Sequence, residues 1–318
     1  MKNDTRSLTI VYFLLTISLV GSLLFMTLHV EGQWAFALIL RAQKLLCLII
    51  ISCSIAVSTV LFQTIMQNRI LTPSIMGFDA IFILTQTLLS ASLGFMRLNA
   101  ISSQVRFFTE MAIMLMSSIL IYRWLFREGK RDLFYLALSG LALGTLLRGI
   151  ANFIQRILNP GEFSVLQDKL FSSFNLVDPS LIFISASMIT ILLVIIWRMR
   201  FTLDVILLGR NTAISLGIDY VSQVRKILFI ISLLVSTSTA LVGPVTFFGL
   251  LVSNLAYFII KDNRHTYIIP ASALIAMTCL IIGQTVLERI FGFAISLSII
   301  IEFFGGIMFI FLIIRSSK

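Results

Sequence analysis

Charge is the scarcest property of this sequence. Asp, Glu, Lys and Arg make up 12% of its 318 residues, against 58% hydrophobic. A soluble domain carries about 25% charged residues. So few ionisable groups cannot cover a water-facing surface, which excludes a soluble globular enzyme. Cysteine is also rare. Cys47, Cys53 and Cys279 lie within apolar runs, with no CxxC and no Cys/His cluster, so neither a disulfide frame nor a metal site is indicated. The two histidines, His29 and His265, are far apart and share no ligand motif. With five prolines and no low-complexity tract, a disordered or collagen-like chain is excluded. There is no Walker loop, GxSxG, HExxH or GxGxxG. No cofactor is therefore expected in this chain, and any uphill transport draws its energy from a partner or an ion gradient.

What the sequence has is long apolar runs, with a mean hydropathy of +1.04. A spanning helix needs about 20 mostly apolar residues, and in lipid the backbone must satisfy its own hydrogen bonds. The pattern predicts an all-α polytopic membrane protein, a single transmembrane domain over 1–318. Its ten spans are 8–28, 45–66, 75–95, 106–126, 133–158, 180–198, 227–243, 246–260, 267–287 and 293–314. The first run exceeds the core of a signal peptide and has no A-x-A site after it, so it reads as a retained span. Gly243-Pro244 divides 227–260 in two, because proline lacks an N–H and disfavours helix in the residue before it.

The net charge of +10 does not point to nucleic acid, because most Lys and Arg sit between apolar runs, where they set orientation. With ten spans both termini share a side. Sixteen of the 24 Lys and Arg fall on that side, which places both termini in the cytoplasm. Two connections are long. Residues 159–179 fall outside. Residues 199–226 fall inside, with apolar positions among polar ones and breaks at Gly209 and Gly217, the pattern of short amphipathic helices. These suit the membrane surface or a cytoplasmic partner. Among outside positives, Arg41 and Lys44 share a helical face and Arg289 ends the ninth span. They suit either an acidic partner or the lipid headgroups. Asp79, Glu110, Arg148 and Glu302 stand inside predicted spans, where charge is costly and faces a bundle interior or a water-filled cavity. Glu110 and Arg148 are expected to be able to pair across neighbouring spans.

Four stretches carry a family resemblance. Val242-Gly243-Pro244-Val245-Thr246-Phe247-Phe248-Gly249-Leu250 resembles the G-P-x-x-F-x-G-L signature of FecCD-type iron-chelate permeases, the membrane subunits of bacterial ABC importers. Asn68-Arg69-Ile70-Leu71-Thr72-Pro73-Ser74-Ile75-Met76-Gly77 resembles the family's N-P-L-A-x-P-x-x-L-G loop. Leu208-Gly209-Arg210-Asn211-Thr212-Ala213-Ile214-Ser215-Leu216-Gly217 resembles its L-G-x-x-x-A-x-x-L-G, and Gly305-Gly306 its terminal glycine pair. Ser253, Asn254 and Tyr257 depart from the usual P-H-x-x-R after G-L, and Glu302 replaces a small residue.

The resemblance implies roles. Leu208, Gly209, Arg210, Ala213, Leu216 and Gly217 would form the contact with an ATPase subunit. Arg41 and Arg289 would receive glutamates of a substrate-binding protein, with Lys44 where a second arginine is usual. Asn68, Pro73, Gly77, Gly243, Pro244 and Gly249 would turn or gate helices. The variant motifs, with Gln167–Asn175 and Ile300–Gly306, resemble the subgroup for catechol-type and petrobactin- or anguibactin-like siderophores, which commonly pairs two different permeases. The implied protein is a cytoplasmic-membrane permease for a ferric siderophore. Its partners would be a sister permease, a binding protein and two ATPase subunits that hold ATP and Mg. Alternatives are a haem or cobalamin permease, an ion-coupled transporter using Asp79, Glu110 or Glu302, or a membrane assembly or signalling protein.

Overall fold

The computed structural model describes residues 2–28, 34–125, 133–175, 177–292 and 296–316. Among these residues all regular structure is helical. The helices are α1 (Lys2–Thr27), α2 (Trp34–Met66), α3 (Phe78–Ala100), α4 (Ser103–Leu125), α5 (Leu133–Gln155), α6 (Pro160–Leu170), α7 (Pro179–Arg198), α8 (Arg200–Leu207), α9 (Arg210–Ser215), α10 (Tyr220–Val242), α11 (Phe248–Ile260), α12 (His265–Arg289) and α13 (Leu297–Ser316), with a 3-10 turn at Ser74–Met76. Each of the ten apolar runs falls largely on a helix among the described residues; positions 126 and 293–295 of two runs lie outside them. By length and composition, α1, α2, α4, α7, α10 and α12 are long and apolar enough to cross a membrane, and α3, α11 and α13 contain shorter apolar helices. The extra helices α6, α8 and α9 lie in the two long connections.

Local chemistry explains the helix starts. Pro160 and Pro179 open α6 and α7 at the position where a missing N–H costs nothing. Asp178 accepts from the Ser180 N–H, and Asp219 caps α10 through the Ser222 N–H. The breaks fall where the sequence places them. Gly209 and Gly217 take positive φ on either side of α9, and Gly243 ends α10 at φ 94°.

The core lies around α2 and α10, whose side chains are mostly buried. Leu48, Ile51, Val60 and Phe62 of α2 are wholly enclosed. Small residues allow close helix packing: the Ser54 hydroxyl donates to the Leu234 carbonyl of α10 at 2.8 Å. Outer helices reverse the pattern. Tyr12, Phe13, Leu23, Phe183 and Ile191 stand exposed, which is costly in water but not against lipid tails.

The bundle has two ends. The start of α1 meets the start of α12, where Arg264 pairs with Asp4. At the opposite end, the last turn of α1 meets the start of α2 and the end of α12, around Leu28, Arg41 and Arg289. One expected contact is absent among the described residues. Glu110 does not pair with Arg148. Its partner is Arg106, 3.3 Å away one turn earlier on α4, a spacing that places the two on one helical face. Arg148 is exposed on α5.

Candidate functional site

Three groups of side chains are of interest, one mid-bundle and one at each end. The first forms where two helices break. Gln67 turns the chain after α2 at φ 50°, and Asn68 Oδ1 accepts from the Ile70 N–H. Pro73 then opens the 3-10 turn and Gly77 closes it at φ 101°. A Cβ at Gly77 would lie 3.1 Å from Gly144 Cα of α5, so two backbones meet where only hydrogen fits. Facing this break is the α10–α11 junction. The Val242 carbonyl, left over at the helix end, accepts from the Ser173 N–H at 2.9 Å, and Pro244 is buried beside it. A Cβ at Gly249 would overlap the Thr59 hydroxyl of α2.

Between the breaks is a cavity with about 20 Å³ open to the centre of a water molecule, lined by Pro73, Ser74, Asp79, Gly243, Thr246 and Gly249 among others. Residues distant in sequence thus share one junction. The space admits a water, not a chelate. Asp79 is 2% exposed and its Oδ2 has no hydrogen-bond partner among the described residues; the Thr246 and Ser74 hydroxyls are beside the carboxyl, and Arg148 lies within electrostatic reach. Glu302, exposed on α13, faces the same field. Glu110 lies apart, near Gln86, Arg106 and Lys169. Burial, then Arg106, holds the Lys169 ammonium of α6 below the usual lysine value, against the pull of Glu110.

The second group is the 199–226 connection. Leu203 and Ile206 of α8 and Ala213 of α9 are wholly buried, while Leu208, Ile214 and Leu216 stand exposed. These short helices are therefore anchored on one side and present an apolar surface on the other. A Cβ at Gly209 would lie 3.3 Å from the Gln67 side-chain nitrogen. A contact that sequence reasoning missed lies beneath. His265 is 1% exposed. Its Nδ1 and its backbone N–H both donate to Asp204 Oδ1, at 2.6 and 2.8 Å, and its Nε2 lies 2.7 Å from Thr64 Oγ1. Burial works to raise the Asp204 carboxyl, but the His265 hydrogen bonds outweigh it and hold the group below the usual carboxylate value. The three residues are up to 201 positions apart, so no local signal could have joined them.

The third group, at the opposite end, gathers Arg41, Lys44 and Arg289. Arg41 donates to the carbonyls of Met26 and Leu28 at 3.0 and 2.8 Å, and Arg289 to Leu28 at 2.7 Å. Two guanidinium groups thus cap the last turn of α1, whose carbonyls lack helical partners. Lys44 pairs with Glu288 at 3.0 Å. Gln284 joins Glu288 to Asn175 at 2.8 and 2.9 Å. Glu288, Gln284 and Asn175 were not legible as members of this cluster. Beside it opens a cavity of about 370 Å³, with Phe171, Phe174, Asn175 and Ser296 in its wall.

Comparison with known proteins places this geometry. The FecCD transport family profile matches residues 6–315. The petrobactin import system permease protein YclO of Bacillus subtilis is 39% identical over 96% of each chain. The petrobactin import system permease protein YclN of the same organism is 24% identical over 86% of this chain and 84% of its own. A solved inward-facing structure of a metal-chelate type ABC transporter superposes with a TM-score of 0.84, covering 97% of this chain and 99% of that one at 17% identity, which establishes the shared fold. Apolar helices and relatives together make this a multi-pass membrane protein with a transport role rather than an enzymatic one. The chain belongs to the FecCD transport family.

Proposed function

We propose that this chain is one membrane half of a bacterial ABC importer for a ferric siderophore of the petrobactin kind. The observation that carries the reading is the 39% identity to a petrobactin import permease over nearly the full length of both chains. In this reading residues 1–318 form one permease domain of ten spans with both termini in the cytoplasm. A sister permease completes the pathway. Two distinct petrobactin permeases from one organism resemble this chain to different degrees, which supports a heterodimer. Partner ATPases hold the ATP and Mg.

The cycle follows from the layout. A loaded binding protein docks on the end that carries Arg41, Lys44 and Arg289, beside the open cavity. At the other end, ATPase closure presses on the exposed Leu208, Ile214 and Leu216 surface of the 199–226 segment. The broken helices at Pro73–Gly77 and Gly243–Gly249 then turn and open a path along the permease interface. Asp79 and Glu302 lie beside that hinge; Glu110 and Arg148 do not meet.

The test is uptake in cells. A strain lacking this chain loses uptake of radioiron-loaded petrobactin and regains it with a plasmid copy. Full uptake in the deletion strain refutes the reading. Uptake abolished by a protonophore while cellular ATP stays high assigns an ion-coupled transporter instead.

A further inference from the structure

The hydrogen-bond chain beneath the 199–226 segment has a particular position. Asp204 belongs to α8, the first helix of that segment, and is fixed by the wholly buried Leu203 and Ile206 on either side. His265 is the first residue of α12. Thr64 lies in the last turn of α2. A single imidazole therefore joins side chains of three elements that pack together at this end of the bundle.

The chemistry of the link is directional and tight. A carboxylate has no hydrogen, so Nδ1–H must donate to Asp204. The Thr64 hydroxyl lies 2.8 Å from the Val60 carbonyl and 2.7 Å from Nε2. Its one hydrogen serves either neighbour: it donates to Nε2, or it donates to Val60 while a protonated Nε2 donates to it. Both arrangements keep the ring between its partners. The ring is 1% exposed, so losing either partner leaves a buried polar nitrogen unmatched. Side chains around the link hold it further. Tyr257 of α11 faces Thr64, and Arg69 stacks over the Tyr257 ring at 4.4 Å while donating to Asn263 at 2.9 Å.

What makes the link informative is where α2 and α12 lead. They pack along one another, and their 33 and 25 residues span about 50 and 37 Å at 1.5 Å per residue. At their far ends they carry Arg41 and Lys44, and Glu288 and Arg289. There the Lys44–Glu288 pair at 3.0 Å joins the same two helices again. The pair is fastened at both ends: by Thr64–His265 beside the 199–226 segment, and by Lys44–Glu288 at the opposite face.

We propose that Asp204, His265 and Thr64 are positioning residues that transmit movement of the 199–226 segment into α2 and α12, and so couple ATP hydrolysis to opening of the pathway. The inference rests on the importer reading above. A displaced α8 pulls the start of α12 through two hydrogen bonds to one carboxylate oxygen, and the end of α2 through the far side of the same ring. Without the link the segment still meets the ATPase, but its movement is lost before it reaches the pathway.

The experiment uses the whole complex, reconstituted in liposomes with binding protein, ATP and radioiron-loaded petrobactin. Iron uptake and ATP hydrolysis are measured in the same preparation. In Thr64→Val and Asp204→Ala complexes, which lack one partner of the ring each, uptake per ATP falls about tenfold while hydrolysis continues. Thr64→Ser, which restores the hydroxyl, restores the ratio. A merely structural role would reduce the amount of assembled complex and scale both rates together. Unchanged uptake per ATP in the assembled variants overturns the link. Thr64→Val, which keeps the side chain's shape, decides the matter if Asp204→Ala does not assemble. Absence of ATP-driven uptake by the unaltered complex overturns the importer reading itself, and with it the role of the link.

Discussion

Replacing Gly77 with alanine tests the hinge, because the structure separates two costs there. Gly77 sits at φ 101° in the left-handed region, where a side chain costs about 1–2 kcal/mol. The new Cβ would also lie 3.1 Å from the Gly144 Cα and 3.5 Å from the Gly140 carbonyl. Both are backbone atoms that no rotamer change can move, and overpacking of this kind costs about 1–3 kcal/mol. Together the loss is about 2–5 kcal/mol. Gly144→Ala meets the same contact from the other side, at 3.0 Å from Gly77 Cα. It lies within α5 without left-handed φ, so it bears the packing cost alone, offset by up to about 1 kcal/mol of helix propensity. Gly149→Ala, on the same helix with nothing within 4 Å of its Cβ, gains that propensity and loses nothing. The assay is the fraction of monodisperse complex remaining after heating in mild detergent. The apparent midpoint of Gly77→Ala should drop by roughly 4–10 °C, Gly144→Ala should fall less, and Gly149→Ala should hold or rise. Equal midpoints for Gly77→Ala and Gly149→Ala would refute the close approach.

Three further outcomes are expected. Gly209→Leu, Gly217→Leu and Ala213→Asp should separate ATP hydrolysis from uptake while the chain still inserts, because two positions need positive φ and the third is wholly buried; normal uptake in well-expressed variants would count against the ATPase-contact assignment. Arg41→Gln with Arg289→Gln should weaken binding-protein docking and flatten its salt dependence, and should also lower heat resistance because the α1 cap is lost; unchanged affinity would remove both residues from the docking surface. The Asp204 carboxyl is held below its usual value, so its contribution to stability is present above that value and is lost as pH falls through the folded-state value. Heat resistance of the parent should therefore exceed that of Asp204→Asn at pH 7, and the gap should close below about pH 4. A constant gap across that range would contradict the assignment.

Much of the helical layout was legible, because lipid imposes a length and forbids unpaired backbone. Gly243-Pro244 announced its own break, since neither residue can continue a helix here. Gly209 and Gly217 likewise marked the ends of α9. The junction cavity was legible only as separate motifs: Pro73–Gly77 and Gly243–Gly249 were both visible, but nothing in the sequence says that they face one another. One signal was available and missed. Gly140 and Gly144 form a small-xxx-small pair, and they are what Gly77 approaches. The Arg106–Glu110 pair has an i,i+4 spacing visible in the sequence, whereas a pairing of Glu110 with Arg148 depends on how two helices are placed, which the sequence does not state. Arg41 and Arg289 stand out in the sequence as outside positives that suit a partner or the headgroups, and their capping of α1 is a long-range contact with no sequence signature. His265 sits in no ligand motif; its partners come from α8 and α2, 61 and 201 residues away.

This chain is proposed to work as half of an ATP-driven importer. The most direct measurement is affinity purification of the chain from its native membrane in mild detergent, with the stoichiometry of co-purifying chains determined by mass spectrometry. A Walker-motif ATPase and a second, different polytopic permease should co-purify in near-equal amounts. Recovery of this chain without any ATPase, under conditions that hold a known importer together, would contradict it.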